Sequence, residues 1–207
     1  KVLDILPDRS LNSLIDYFKG FKGRENVKLF VSDMYSPYLT LAKTYFPNAK
    51  VVVDKFHYVR QVYWALDRVR KRIQKAFGKE KRLYFKHSKK LLFAQYKNLN
   101  DENKQALRVM LSQHKDLQDA WTLKELFTEF RECLDPQIGK KILRSWILTA
   151  QEINLFEFKD CITAFTNWFT YIANSLDSAC TNAFTEGKNN KIKVLKRNAY
   201  GIKNFIR

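Results

Sequence analysis

The sequence predicts an α/β fold that carries a large helical insertion. Two short apolar, β-branched segments, residues 27–31 and 49–53, each precede a helical pattern in the first part of the chain. From residue 58 onward, apolar residues recur at the spacing of helices instead. Strands that alternate with helices are typical of α/β proteins with a parallel sheet. We therefore expect a small sheet early in the chain and helices after it.

The opening segment is predicted to run strand, helix, strand, helix, strand. The first strand lies within residues 1–6, and residues 10–21 form a short amphipathic helix. After the second strand, Ser36 and Pro37 are predicted to cap and open a helix, because serine favours the cap and proline the first turn. The third strand ends at residue 53.

The remaining chain is predicted to be helical. The predicted helices span 58–76, 79–97, 101–114, 117–132, 136–152 and 158–175. Asn100 is expected to cap the third of these and Asp135, which precedes Pro136, the fifth. Three tryptophans fall on apolar helix faces and are expected in the core: Trp121, Trp146 and Trp168.

The charge of the chain predicts a polyanionic partner. The formal net charge is +17, and proteins this basic most often bind nucleic acid. Residues 55–97 hold fourteen lysines and arginines against two acids, so most of the excess lies there. Aromatic residues interleave with these cations, and at helical spacing core packing is the favoured interpretation over base stacking. Residues 101–135 are mildly acidic and are not expected to contact DNA.

Several classes of site are excluded by the sequence. No cysteine or histidine cluster has zinc spacing, and no glycine-rich loop indicates a nucleotide cofactor. A serine nucleophile lacks its elbow motif. The odd number of cysteines favours a reducing compartment. With no apolar run long enough to span a membrane and no secretion signal, we expect a cytoplasmic protein in contact with the nucleoid.

Two predicted strands end in an aspartate. Asp33 follows one apolar run and Asp54 the next, and sites in open α/β sheets form at the carboxyl ends of strands. A helix cap or turn residue is the alternative for either acid. Far along the chain, a polar stripe lies on one helix face: Asn182, Glu186, Asn190 and Lys193. A solvated helix explains that stripe alone, but with both aspartates an oxygen-rich divalent-metal site is favoured.

Several ordered motifs resemble bacterial insertion-sequence transposases of the ISL-three type. They lie in residues 27–70 and 178–207. The first group is Val31-Ser32-Asp33-Met34, Phe46-Pro47-Asn48-Ala49, Val53-Asp54-Lys55-Phe56-His57 and Ala65-Leu66-Asp67-x-Val69-Arg70. The closing motif is Glu186-Gly187-x-Asn189-Asn190-x-Ile192-Lys193, which continues through Lys196-Arg197-x-Ala199-Tyr200-Gly201.

The resemblance implies an RNase H-like core with an Asp-Asp-Glu triad that binds two Mg²⁺ or Mn²⁺ ions. Asp33 is similar to the second aspartate of the triad and Glu186 to its glutamate. Asp54 is a further candidate metal ligand because it ends the neighbouring predicted strand. The first aspartate lies on an earlier strand, so we expect a fragment of a longer protein that is inactive by itself. His57 resembles a histidine placed near the scissile phosphate, although a structural role is equally open.

The implied function is metal-dependent DNA cleavage at transposon ends and strand transfer. The predicted domains are a partial RNase H-like sheet in 1–57, a basic helical insertion in 58–175 and a returning catalytic helix in 176–207. The partners would be DNA and further copies of the protein in a transpososome, with no membrane and no nucleotide cofactor. Candidate DNA contacts are Lys188, Lys191, Lys193, Lys196, Arg197, Arg70 and Arg72. The alternatives are a basic DNA-binding or assembly module without chemistry, and an RNase H-like nuclease or resolvase.

Overall fold

The computed structural model describes residues 4–6, 8–87, 89–177 and 183–198. The chain divides into two compact units. Unit 1 comprises Lys1–Asp54 and Ser178–Arg207, and unit 2 comprises Lys55–Asp177. The sequence predicted boundaries after residues 57 and 175, and the units divide after Asp54 and Asp177.

Unit 1 contains a small parallel sheet with helices. Its described elements are α1 (Leu11–Lys19), β1 (Leu29–Ser32), α2 (Ser36–Tyr45), β2 (Lys50–Val53) and, after unit 2, α11 (Ala183–Asn198). Strands β1 and β2 pair in parallel, with Leu29 opposite Lys50 and Ser32 opposite Val53. The α2 crossover between them has the arrangement expected of parallel neighbours. The predicted α/β character is thus present as a two-stranded sheet in a mostly helical chain.

The core of unit 1 lies where α1 packs against α2. Leu14, Leu41 and Phe46 are buried there, and partly buried apolar side chains surround them. The Phe46 ring contacts Phe18 at a centroid distance of 5.2 Å and Phe30 of β1 at 5.3 Å. Aromatic contacts of this kind add to the area that they bury. They hold the helices to the strand that carries Asp33 at its end.

Unit 2 is helical throughout its described residues. Its helices are α3 (Lys55–Lys75), α4 (Lys79–His87), α5 (Lys89–Phe93), α6 (Asp101–Leu111), α7 (Lys115–Glu132), α8 (Pro136–Ile153), α9 (Lys159–Asn167) and α10 (Phe169–Ala173). The long helices α3, α7 and α8 pack side by side with α9. The aromatic core between them includes Tyr58, Phe127, Trp146, Phe158 and Phe165, all buried.

One tryptophan lies at the centre of this core. The Trp146 ring contacts Phe165 at a centroid distance of 5.0 Å, and its indole Nε1 donates a 2.7 Å hydrogen bond to the Leu123 carbonyl. The buried polar atom of the ring is therefore satisfied, as burial requires. Trp121 and Trp168, which were also expected in the core, are only partly buried.

Two of the three predicted helix caps are confirmed. Asn100 and Asp135 cap α6 and α8 as predicted, since their side chains accept hydrogen bonds from backbone N–H groups of the first turn. The predicted cap at Ser36 is wrong. Helix α2 begins at Ser36 itself, with Tyr35 at the cap position and no side-chain cap bond, while proline occupies the first turn as expected.

Three predicted elements differ from the structure. The single helix 79–97 is wrong, since α5 ends at Phe93 and a short 3-10 turn, Tyr96–Asn98, follows. The helix 158–175 is divided because the backbone leaves helical geometry at Trp168, with φ −106° and ψ 15°. The opening strand lies partly outside the described residues, and its described part, residues 4–6, is irregular.

A buried lysine explains where α5 ends. Lys124 of α7 is fully buried, and its Nζ donates a 2.7 Å hydrogen bond to the Ala94 carbonyl while contacting Glu125. The Glu125 carboxylate in turn accepts from the Tyr96 backbone N–H at 3.3 Å. Side chains of α7 thus satisfy backbone groups that a continued helix would have used. Burial lowers the pKa of Lys124, and its bond to Glu125 only partly opposes that effect.

No helix in the described ranges is both long enough and apolar enough to cross a lipid bilayer.

Cys133 and Cys161 are free thiols, and burial raises the pKa of the Cys161 thiol far above its ordinary value. Cys180, the third cysteine, lies outside the described residues.

We predict that Lys124→Met destabilises the protein by about 2 kcal/mol, because the Ala94 carbonyl and the Glu125 carboxylate lose a buried donor. The matched control on the same helix is Lys115→Met, which removes an exposed ion pair with Asp119 and should cost less than about 0.5 kcal/mol. Urea unfolding measures both free energies. Equal losses in the two variants would contradict a special role for the buried ammonium.

Candidate active site

Two aspartates lie next to each other at the carboxyl edge of the unit 1 sheet. Ser32 pairs with Val53 in the parallel register, so Asp33 and Asp54 are the next residues of adjacent strands. The Asp54 backbone N–H donates a 2.9 Å hydrogen bond to the Ser32 carbonyl and extends the ladder by one step. Parallel pairing therefore brings together two acids that are far apart along the chain.

The Asp33 carboxylate has one buried oxygen atom. Its Oδ1 atom is buried, and none of the residues that the structure describes donates a hydrogen bond to it. A buried carboxylate oxygen in this state is costly, and almost all such oxygens find a donor or a cation. Asp54, beside it, is only 2% exposed. Asp33 is not the cap of α2, whose cap position is held by Tyr35, and its role as a metal ligand stays a prediction.

Arg9 and two tyrosines lie near the residues that follow β1. The Arg9 guanidinium lies over the Tyr35 ring, 5.1 Å from its centroid, and Tyr35 contacts Tyr38 edge-on at 5.2 Å. Burial raises the pKa of Tyr38, the Asp33 charge raises it further, and the Arg9 charge lowers it. Arg9 was not predicted as a site residue, because its contact with Tyr35 depends on the packing of unit 1.

Glu186 lies in the first turn of α11, in the same unit as both aspartates. Its side chain is outside the described residues, as are those of Lys188, Asn189 and Lys196, while Asn182 is outside altogether. Among the side chains that are described, no group of three acids, histidines or cysteines could hold a metal ion. The predicted triad with Glu186 therefore stays a prediction.

The remaining candidates of unit 1 lie on the exposed side of α11. Lys191, Lys193 and Arg197 are all exposed. His57 belongs to unit 2, in the first turn of α3, where its ring meets the neighbouring Phe56 ring edge-on at 5.7 Å. The role predicted for His57 from the resemblance stays a prediction.

Arg70 is a correction to the predicted DNA contacts. Arg70 is only 5% exposed, and its Nε donates a 2.9 Å hydrogen bond to Asp67 Oδ1. Its Nη1 donates to Gln74 at 2.6 Å and to the Phe85 carbonyl at 3.3 Å. With its donors used inside unit 2, this guanidinium is unavailable to a phosphate. The Asp67-x-Val69-Arg70 part of the sequence motif thus encodes a buried ion pair.

Arg72 is more exposed but is bound to two acids. Its Nε donates to Glu157 at 2.6 Å and its Nη2 to Asp116 at 2.7 Å. The hydrogen bonds to Glu157 and Asp116 raise the pKa of Arg72. These acids lie on other segments, so Arg72 joins α3 to α7 and to the turn before α9. Most of its charge is neutralised within the protein.

The Asp67 cluster collects several cations around one carboxylate. Burial raises the pKa of Asp67, but hydrogen bonds from Lys71 and Arg70 and the charges of Arg70 and Lys89 outweigh burial, so the pKa is lowered overall. Lys71 Nζ lies 2.9 Å and Lys89 Nζ 3.6 Å from Asp67 Oδ2. The cluster joins α3 to the start of α5.

The comparisons with known proteins agree with the sequence motifs. A family model described as transposase, DDE_Tnp_ISL3, matches residues 1–207. The chain is 25% identical over 211 residues to the transposase for insertion sequence element IS1001 of Bordetella parapertussis. That alignment covers 98% of this chain and 51% of the relative, so the chain spans about half the length of that relative. No solved structure matches the chain significantly. The match to the ISL3 (ISL-three) family confirms the resemblance.

We predict that Asp67→Asn costs about 3 kcal/mol of stability at neutral pH, because it leaves the Arg70 guanidinium buried without its counterion. The folded pKa of Asp67 lies below its ordinary 3.8, so its contribution is present above that value and is lost as the pH falls through the folded pKa. The difference between wild type and variant should therefore shrink below about pH 4.

Urea unfolding across that pH range makes the measurement. The matched control is Asp101→Asn, which removes a fully exposed carboxylate 3.6 Å from Lys104 and should change stability by less than about 0.5 kcal/mol. A constant difference between Asp67→Asn and wild type down to the acid limit would contradict the pH-linked role of Asp67.

Proposed function

Because this chain belongs to the DDE transposase family of the ISL3 type, we propose that it forms part of the catalytic domain of a DNA transposase. The reaction is cleavage of DNA at transposon ends and transfer of the strand to a target. The observation that carries the proposal is Asp33, a strand-end carboxylate whose buried Oδ1 lacks a donor among the described residues. We assign the sheet of unit 1 to an incomplete RNase H-like core and unit 2 to its helical insertion.

Asp33, Asp54 and Glu186 are the residues that would hold divalent metal ions, Mg²⁺ or Mn²⁺. Carboxylate oxygens suit these hard cations, and the orphaned Asp33 oxygen fits the role of a ligand. When bound, a pair of such ions would activate a water or a 3′-hydroxyl as the nucleophile and stabilise the leaving oxygen. Because the chain spans about half the length of the curated relative it matches, activity is proposed for the full-length transposase and not for this chain alone.

Cations near these carboxylates would bind the DNA backbone. Arg9 lies on the ring of Tyr35, two residues after Asp33, and would neutralise a phosphate there. On α11, the exposed Lys191, Lys193 and Arg197, with Lys188 and Lys196 on the same helix, would contact further phosphates. His57 is proposed to approach the scissile phosphate. Assembly of several copies on paired transposon ends is part of the same proposal.

We predict that Asp33→Asn and Glu186→Gln each reduce cleavage at transposon ends about a thousandfold in the full-length transposase, because a ligand to the ions is lost. The matched control is Asp16→Asn, an exposed acid on α1 of the same unit, which should cleave at the wild-type rate. Gel-based cleavage of labelled end DNA in Mg²⁺ measures the rates. Titration calorimetry with Mn²⁺ tests metal binding independently of activity.

The two measurements together separate the competing functions. Wild-type cleavage by either variant would end the assignment of these acids. Unchanged Mn²⁺ binding in Asp33→Asn would remove Asp33 from the metal site. A protein that binds DNA but neither binds Mn²⁺ nor cleaves would be the basic assembly module instead. Cleavage of branched or hybrid substrates without end joining would indicate the nuclease or resolvase.

A further inference from the structure

An exposed row of two aromatic rings and one arginine lies along α3. Phe56, Arg60 and Trp64 follow one another at intervals of four, which places them on one face of the helix. Phe56 and Trp64 are each 54% exposed, although both are large and apolar. The Arg60 guanidinium lies over both rings, 5.3 Å from the Phe56 centroid and 4.8 Å from the Trp64 centroid. We call these three residues the α3 ladder.

The arginine holds the two rings in a defined arrangement. Its Nε is buried and has no hydrogen-bond partner among the described residues. Stacking uses the face of a guanidinium and not its edge, so Arg60 keeps its charge beside the rings. The ladder therefore presents exposed ring surface together with a cation. Exposed ring faces suit another planar group.

Each ring borders a cleft. Beside Phe56, a cleft of about 280 Å³ is also lined by Lys55 and Arg131. Beside Trp64, a second cleft of about 240 Å³ is also lined by Gln61, Arg68 and the acid Asp160. Arg68 donates one hydrogen bond from Nη2 to the Glu157 carbonyl, which leaves its charge unpaired by that contact. A planar group that stacks on either ring would thus have cations within reach for an attached phosphate. The Gln61 amide could donate to or accept from its edge.

The charge around the ladder selects the class of partner. Helix α3 carries seven lysines and arginines against one aspartate. A second copy of this chain, with its net charge of +17, would be repelled by such a surface, and an aliphatic partner would leave the cations without partners. A polyanion that carries planar rings satisfies both features. In duplex DNA the faces of the bases are stacked on one another, so only unpaired bases can offer them.

From this geometry we infer that the α3 ladder binds unpaired DNA, with bases stacked on Trp64 and Phe56 and phosphates near Lys55 and Arg68. The inference rests on the proposed function, since strand cleavage and transfer expose unpaired DNA at the reacting ends. It assigns to the insertion a contact to bases that differs from the phosphate contacts of α11. It also reverses the sequence-based interpretation of Trp64, in which aromatics between cations pack in the core.

The test measures binding of the full-length protein to a labelled oligothymidine of about ten nucleotides and to a duplex of the same length by fluorescence anisotropy. Trp64→Ala should weaken single-strand binding about tenfold, because one stacking platform is lost, and leave duplex binding within about twofold. Trp64→Phe should retain most of the single-strand affinity. Leu148→Ala, which truncates an equally exposed side chain on α8, should bind both probes as wild type does.

Several outcomes would overturn the inference. Unchanged single-strand binding in Trp64→Ala means that the ladder does not stack bases. An equal loss for both probes means a general phosphate contact, and a changed oligomeric state by light scattering means a protein interface. If circular dichroism shows that Trp64→Ala is unfolded, Phe56→Ala takes its place in the test. A tenfold loss of single-strand affinity in Phe56→Ala then supports the inference, and wild-type binding overturns it. End cleavage that depends on Asp33 would survive each of these failures, so the proposed function is judged separately.

Discussion

The parallel pairing of β1 with β2 is the constraint on which the candidate active site depends. Its register places Ser32 opposite Val53, so the acid that follows each strand arrives at the same edge. A slip of one residue would turn every side chain to the other face of the sheet. Val51, Val52 and Val53 of β2 are all buried, so both faces of this strand are covered and the backbone ladder fixes the register. The positions of Asp33 and Asp54 are therefore set by backbone hydrogen bonds between strands that apolar burial holds in place.

Helix α3 shows how a very basic segment can pack into a core. One face is apolar and includes the fully buried Val62, Leu66 and Val69. Elsewhere on the helix, Arg70 forms an ion pair with Asp67 inside the unit, because a buried charge needs a counterion. On the face that carries the α3 ladder, the rings of Phe56 and Trp64 are exposed and the Arg60 guanidinium lies against both of them. The total charge of the segment therefore overstates the number of cations that a phosphate could meet. Function has to be assigned to individual side chains.

The sequence predicted some features well because they depend on neighbouring residues. The caps at Asn100 and Asp135 arise from side chains within three positions of the N–H groups that they accept from. The helix predicted over 79–97 was wrong because Lys124 and Glu125, about thirty positions away, bind the backbone where α5 ends. Arg70 was misassigned for a similar reason, since a motif does not say whether its arginine faces solvent or a buried aspartate. Arg9 was missed because no local pattern connects it with Asp33.

By itself, the sequence determined most of the elements, the strand-end acids and the family, because periodicity, capping and ordered motifs are properties of residues close together in the chain. The tertiary structure alone decided which charged and aromatic groups remain available to a ligand. It paired Arg70 and Arg72 with acids, left the Asp33 oxygen without a donor among the described residues and exposed Trp64 beside Arg60. Burial and ion pairing depend on residues that folding brings from distant positions, so their outcome cannot be read from local spacing.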